Sequence, residues 1–331
     1  MEKRERLQAA IRGDAVDRPP VALWRHFPVA DQDLSAFAEA VIGFQHRFDF
    51  DFVKITPASS YCVRDWGVED RWEGDTEGTR RYIRHPVQEP RDWAALPVLD
   101  PTRGALREHL EAVARIRQAL PEVPVVVTVF SPLAQAKNLA GPERLLLHLR
   151  RHPEALEMGL RTITESTRRF IRAALELGVD GIFYAVQHAS YLLLSPEEYR
   201  AFGRPYDLAI LEVAVDAWLN ILHLHGEAVM FDLFMDYPVA VWNWHDRETP
   251  PALEEGREKV RGAVLGGLSR IQTLVLGTPQ DVEAEAREAI ARTGGRRFIL
   301  GTGCVVPIHA PEVNLQAARQ VVEQAARSGS L

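Results

Sequence analysis

What most constrains this chain is an alternation: short β-branched, apolar runs recur along it, separated by long amphipathic stretches of helical period. The strand-like runs are Val21–Arg25, Phe52–Thr56, Val125–Phe130, Gly181–Tyr184, Asn220–His225, Val239–Trp244, Ala263–Leu268 and Phe298–Gly301. The helical stretches include Leu34–His46, Gly104–Ala119, Pro153–Leu177, Pro196–Ala217, Pro279–Ala291 and Glu312–Ala326. Several open on proline, as in Ser195-Pro196-Glu197-Glu198, where the missing N–H has no helical partner to lose. Eight strands each followed by a helix close into an α/β-class (β/α)8 TIM barrel. An open doubly wound sheet is the structural alternative, but no Gly-rich dinucleotide fingerprint follows the first strand. With 331 residues the chain can bury a large core in one unit. No repeat or linker divides it, so a single domain over residues 1–331 is expected. One stretch, at about 61–99, breaks the rhythm; rich in Trp, Arg, Asp and Gly, it reads as an inserted loop that forms a lid or carries small hairpins.

Composition removes several functional classes. The two cysteines, Cys62 and Cys304, are too few for a disulfide framework and point to a reducing cytoplasm. The opening MEKRERLQAAIRG is charged and helix-like, without the apolar core of a signal peptide. No apolar run approaches the ~18 residues of a membrane span. Net charge is −7, and the arginines of Arg144 to Arg151 and Arg161 to Arg172 are interspersed like solvated helix faces. The expected partner is a small molecule, not a nucleic acid or a membrane.

In such barrels the chemistry sits at the carboxyl ends of the strands. The fifth predicted strand ends His223-Leu224-His225-Gly226-Glu227, and residues at i and i+2 of a strand share a face. His223 and His225 would project together, as two neutral imidazoles suited to zinc. Cys304, at the end of Gly301-Thr302-Gly303-Cys304, would add a thiolate across the mouth. Three protein ligands leave a fourth position for water, substrate or a carboxylate, with Asp246 and Glu227 as the nearest candidates. Buried histidines and a lone cysteine also serve as packing residues, a reading that stays open here. Arg25, at the first strand end, is a candidate anchor for an acidic substrate or else a rim salt bridge. Gln187, His188, Trp244 and His245 follow other strand ends and would line the pocket. No G-x-S-x-G elbow, H-E-x-x-H, P-loop or C-x-x-C motif occurs.

At these residues the chain resembles the uroporphyrinogen decarboxylase superfamily. The resemblance is carried by Arg4-Glu5-Arg6-Leu7, Asp17-Arg18-Pro19-Pro20-Val21, Phe130-Ser131-Pro132, the run from Leu194 to Tyr199, His223-Leu224-His225-Gly226 and Gly301-Thr302-Gly303-Cys304, in order along the chain. It implies a (β/α)8 barrel, often dimeric. The metal-free decarboxylases hold a tetrapyrrole with two arginines, an aspartate, a tyrosine and a late histidine. Of these only Arg25 has a counterpart: Val29, Pro57 and Asn138 stand at the next three places, and no histidine occurs in Gly301–Val306. Without the aspartate, buried pyrrole N–H donors would go unpaired, which is costly.

The superfamily's zinc methyltransferases, which move methyl groups between a corrinoid protein and a thiol, carry His-x-Cys-Gly and a late Cys. Here His223 and Cys304 match, while His225 replaces the middle thiolate. The resemblance therefore implies a zinc-dependent methyl or one-carbon transferase working with a thiol or a corrinoid. In that reading Arg25, His188, His245 and Asp246 serve catalysis, and Gln187 and Trp244 contact the cofactor. A metal-free carboxy-lyase acting on a carboxylated tetrapyrrole or related acid is the alternative, and a non-catalytic corrinoid binder a third.

Overall fold

The strands of the main sheet form where nearly every residue is apolar, as expected of a parallel sheet covered on both faces. The computed structural model describes residues 1–327. In chain order the strands are β1 (Val53–Ile55), β2 (Glu69–Arg71), β3 (Arg81–Arg84), β4 (Val125–Phe130), β5 (Gly181–Val186), β6 (Ile221–Leu224), β7 (Val241–Trp244), β8 (Ala263–Leu268) and β9 (Phe298–Thr302). Seven of them make one curled parallel sheet in the order β1-β4-β5-β6-β7-β8-β9, and every residue in those seven is buried. Helices cover its outside. The longest, Pro153–Glu176, buries Leu156, Leu160, Ile163, Phe170 and Ile171 along one face.

The first predicted strand, Val21–Arg25, survives only as a parallel bridge between Val21 and Leu300. Pro19 and Pro20, just before it, supply no N–H donors, so the ladder cannot extend in that direction. The segment still closes the ring. Ala22 N–H donates to Leu300 O (3.0 Å), Leu300 N–H to Pro20 O (2.8 Å), and on the other side Asp51 N–H to Val21 O (2.9 Å). The fully buried Asp51 carboxylate accepts from Val21 N–H (2.7 Å), Arg6 (2.8 Å) and Arg18 (2.7 and 3.1 Å). The amino-terminal arginine motifs thus latch the barrel seam.

The predicted helix Pro196–Ala217 is two helices, Pro196–Phe202 and Arg204–Val213. The break falls at Gly203-Arg204-Pro205, where the proline has no N–H to continue the first helix. The inserted segment carries the antiparallel hairpin β2–β3 and a short helix, Asp92–Ala95. That helix is pinned by the fully buried Trp93, whose Nε1–H donates to His148 Nδ1 (2.9 Å). The connection between β2 and β3 presses on the end of the first barrel segment: a Cβ at Gly78 (φ 80°) would lie 2.6 Å from His26 Cβ. No helix among the described residues is long and apolar enough to cross a membrane.

Candidate metal centre and its cavity

Alternation along the strands decides what faces the barrel interior. On β6 it sends His223 inward, and His225 follows on the same side because its N–H still bonds Val186 O (2.9 Å) as the strand would. On β7 the same rule sends Asn243 and His245 inward. Cys304 follows β9 through Gly303, where a Cβ would meet His245 Cα and Trp244 O at 2.6 Å each, so only glycine lets these strand ends touch. The result is a group of four: His223, His225, His245 and Cys304, each with one donor atom within 4.8 Å of all the others.

The hydrogen bonds behind the rings fix which nitrogens are free. Asn243 donates from Nδ2 to Leu265 O (2.8 Å) and Thr302 O (3.0 Å), so its Oδ1 must accept from His223 Nδ1–H (2.6 Å). His223 Nε2 is left with its lone pair. Glu248 accepts from His245 Nδ1–H (3.0 Å), which leaves His245 Nε2 with a lone pair as well. This is the support that metal-binding histidines usually have. His245 Nε2 lies 3.4 Å from His225 Nδ1, which in turn lies 3.5 Å from Cys304 Sγ. Around a tetrahedral ion with zinc's bond lengths, two nitrogens are about 3.3–3.4 Å apart and a nitrogen and a sulfur about 3.5–3.6 Å. Burial, with the neighbouring imidazoles, holds His223 well below the ordinary imidazole range, and burial lowers His225 to about 4. Neutral imidazole is the ligating form. The four residues fit a metal cation.

A chain of charges ties this group to the insertion. Arg270, after β8, bonds Glu248 Oε1 (3.3 Å) through Nε and Glu77 Oε1 (2.6 Å) through Nη1. Glu77 lies between β2 and β3 and helps roof a cavity of about 400 Å³ whose floor includes His223, His225 and Cys304. Thr79, Arg80 and Tyr82 belong to the same roof.

Of the other expected residues, Gln187 lines the cavity and accepts from Lys137 Nζ (2.9 Å). His188 is buried but does not line it; burial pushes its imidazole down to about 3. Arg25, Trp244 and Asp246 fall on the wrong side of the alternation for the interior. Arg25 packs over Phe27 and Phe44 (5.4 and 5.3 Å to the ring centroids), outside the lining. Trp244 is fully buried against Phe231 and donates to Pro251 O (2.9 Å). Asp246 accepts from Gly267 N–H (3.0 Å), and burial pushes its carboxyl up to about 7. Neither Asp246 nor the exposed Glu227 joins the cluster; His245 takes that corner. Lys54, Lys137, Asn243, Glu248 and Arg270 went unnoticed in the sequence, although a lysine and an asparagine inside apolar strands, in Phe-Val-Lys-Ile and Trp-Asn-Trp, were visible signals.

Comparison with known proteins agrees with the architecture. The methylcobamide:CoM methyltransferase MtbA of Methanosarcina acetivorans is 24% identical over 336 residues, covering 95% of each chain. A uroporphyrinogen decarboxylase of Nocardia farcinica is 29% identical over 234 residues, 68% of this chain and 63% of that protein. In three dimensions a methyltransferase from Methanosarcina mazei superposes with a TM-score of 0.86 at 22% identity, over 98% of this chain and 99% of that one. The family profile described as uroporphyrinogen decarboxylase (URO-D) matches residues 2–325. With the barrel, the strand-end motifs and a match of that extent in accord, the chain belongs to the uroporphyrinogen decarboxylase family of enzymes.

Proposed function

We propose that this family member is a zinc-dependent methyltransferase that works with a thiol and a corrinoid. The observation that supports it most is the convergence of ligand atoms: His245 Nε2, His225 Nδ1 and Cys304 Sγ at 3.4 and 3.5 Å, with Glu248 setting the tautomer of His245 and Asn243 that of His223 beside them. His223, His225, His245 and Cys304 would hold the ion, and a thiol or water would reach it as a fifth ligand or in place of one imidazole. One thiolate and three neutral imidazoles leave a bound Zn²⁺ with net positive charge. When bound, zinc acts as a Lewis acid that lowers the pKa of a thiol or water. The chain's own residues do the rest: Asn243 and Glu248 hold the two ring protons on Nδ1, and the hairpin roof limits water at the cavity. The corrinoid is suggested by the methylcobamide-acting relatives. A tetrapyrrole substrate is less well supported, because Glu77, the one carboxylate residue in the lining, is already held by Arg270.

Metal analysis of untagged protein, beside methyl transfer from methylcobalamin to a thiol, tests this. About one zinc per chain is expected, lost together with transfer in His223→Ala and Cys304→Ala. A wild type that stays metal-free after reconstitution, or that turns over a carboxylated tetrapyrrole without metal, overturns it.

A further inference from the structure

The roof over the cavity is held from several sides. Arg80 pairs with Asp31 and Asp70 (3.2 and 2.9 Å), Tyr82 Oη shares a hydrogen bond with Ser59 Oγ (2.8 Å), and Ile308 N–H donates to Thr76 O (2.8 Å). A further tie, from Glu77 to Arg270 (2.6 Å), runs to a different kind of partner. Arg270 is nearly buried, at 11% exposure, and its planar fork spans two carboxylates: Nη1–H donates to Glu77 Oε1, and Nε–H to Glu248 Oε1 (3.3 Å). The other oxygen of Glu248 accepts from His245 Nδ1–H (3.0 Å). Among the described residues, this is the one chain of charged contacts that runs from the roof to a member of the four-residue group.

Because Arg270 is shared, what one carboxylate takes of its charge the other does without. With the roof down, Glu77 draws on the guanidinium, and Glu248 keeps more of its negative charge for the imidazole in front of it. A carboxylate behind a ligating histidine fixes the ring and raises its basicity. With the roof lifted, the guanidinium turns wholly to Glu248 and draws that charge away from His245. We infer that Arg270 is a positioning residue that couples the roof to the metal centre, so that closure of the β2–β3 connection and binding of an ion by His245 favour each other. The coupling is reciprocal: an ion that tightens the roof is held more tightly beneath it. A lysine could not take this place, because its ammonium is a point charge without a fork to bridge two carboxylates. The inference rests on the proposed metal centre.

The test is a competitive chelator titration of zinc on full-length protein, read beside hydrogen exchange in the turn at 75–79, where the N–H groups of Glu77, Gly78 and Thr79 all bond Asp75. Melting temperature on the same samples checks folding. Glu77→Gln should weaken zinc binding about fivefold, the low end of coupling between sites, and Arg270→Lys by at least as much. In the Arg270→Lys background Glu77→Gln should cost nothing more. Zinc should slow exchange in the turn of the wild type about fivefold and leave it unchanged in Arg270→Lys. Glu73→Gln, which breaks exposed pairs with Arg71 and Arg81 in the same hairpin, should leave zinc affinity where it was. Equal affinity of wild type and Glu77→Gln, additive losses in the double variant, or an equal loss in Glu73→Gln overturns the inference and leaves the metal centre standing. A wild type that holds no zinc overturns both.

Discussion

The barrel wall separates two buried polar clusters that obey opposite rules. Outside it, between β5 and the helices, Asp207 accepts hydrogen bonds from Tyr184 (2.5 Å), Tyr199 (2.5 Å) and Tyr237 (2.9 Å). Each hydroxyl there has a partner, as buried polar groups in a structural role do. Inside, His225, His245 and Cys304 face one another across 3.4–3.5 Å, with at least one lone pair aimed at the gap. The contrast lies in satisfaction. A saturated cluster holds the fold together, whereas one whose ligand atoms converge would, on the proposed metal reading, be completed by an ion. Arg6, Arg18 and Asp51 belong with the first kind.

Substitutions can break this contrast. Asp207→Ala strands three buried hydroxyls and should cost about 3–5 kcal/mol in urea unfolding, with metal stoichiometry unchanged. If instead the variant loses metal and keeps its stability, the division of roles is mistaken. Glu248→Gln, behind His245, should leave stability nearly unchanged while weakening metal affinity about 10- to 100-fold in a competitive chelator titration. A smaller effect sharpens the comparison through pH. His109, remote from the cluster, stacks on Phe170, and burial holds its imidazole down to about 3, against 6.5 unfolded. Below pH 6.5 the unfolded chain binds the extra proton, so stability falls as pH drops. His109→Phe removes that dependence: between pH 7 and 5.5 the variant should gain about 1.2 kcal/mol on the wild type in metal-free protein. A constant difference would show that His109 takes up its proton at the same pH in the fold as in the unfolded chain.

The same wall explains what could be read from the sequence. Seven barrel strands were legible because each is a short apolar run between helical stretches, and β2–β3 matched the expectation of hairpins in the insertion. The seam segment Val21–Arg25 reads as a strand but forms only a bridge, and the Asp51 latch that holds it was not legible because it joins residues 30 apart in sequence or more. The helix Pro132–Ala140 was missed because nearly all of it is buried and no polar face marks its period, while Pro142–Arg151 was legible only as the solvated face from Arg144 to Arg151. At the site, parity was applied to His223 and His225 but not to β7, where it admits His245 and Asn243 and refuses Trp244 and Asp246. On the first segment it admits Trp24 and His26 and refuses Arg25. Lys54 escaped because a charge in an apolar strand reads as an edge or an error until the cavity around it is seen.

Asn243 has a wider consequence. Its side chain joins His223 on β6 to the backbone of β8 and β9, through Leu265 O and Thr302 O, the latter two residues before Cys304. One amide therefore gauges the spacing between the strand that carries two of the donors and the strand that delivers the thiol. If the cluster holds an ion as proposed, closing the barrel would build this corner of the site, and little reorganisation would remain for binding to drive. Selectivity among ions would then fall to the donor atoms themselves, to their softness and to the bond lengths they permit, and not to how far the protein must bend.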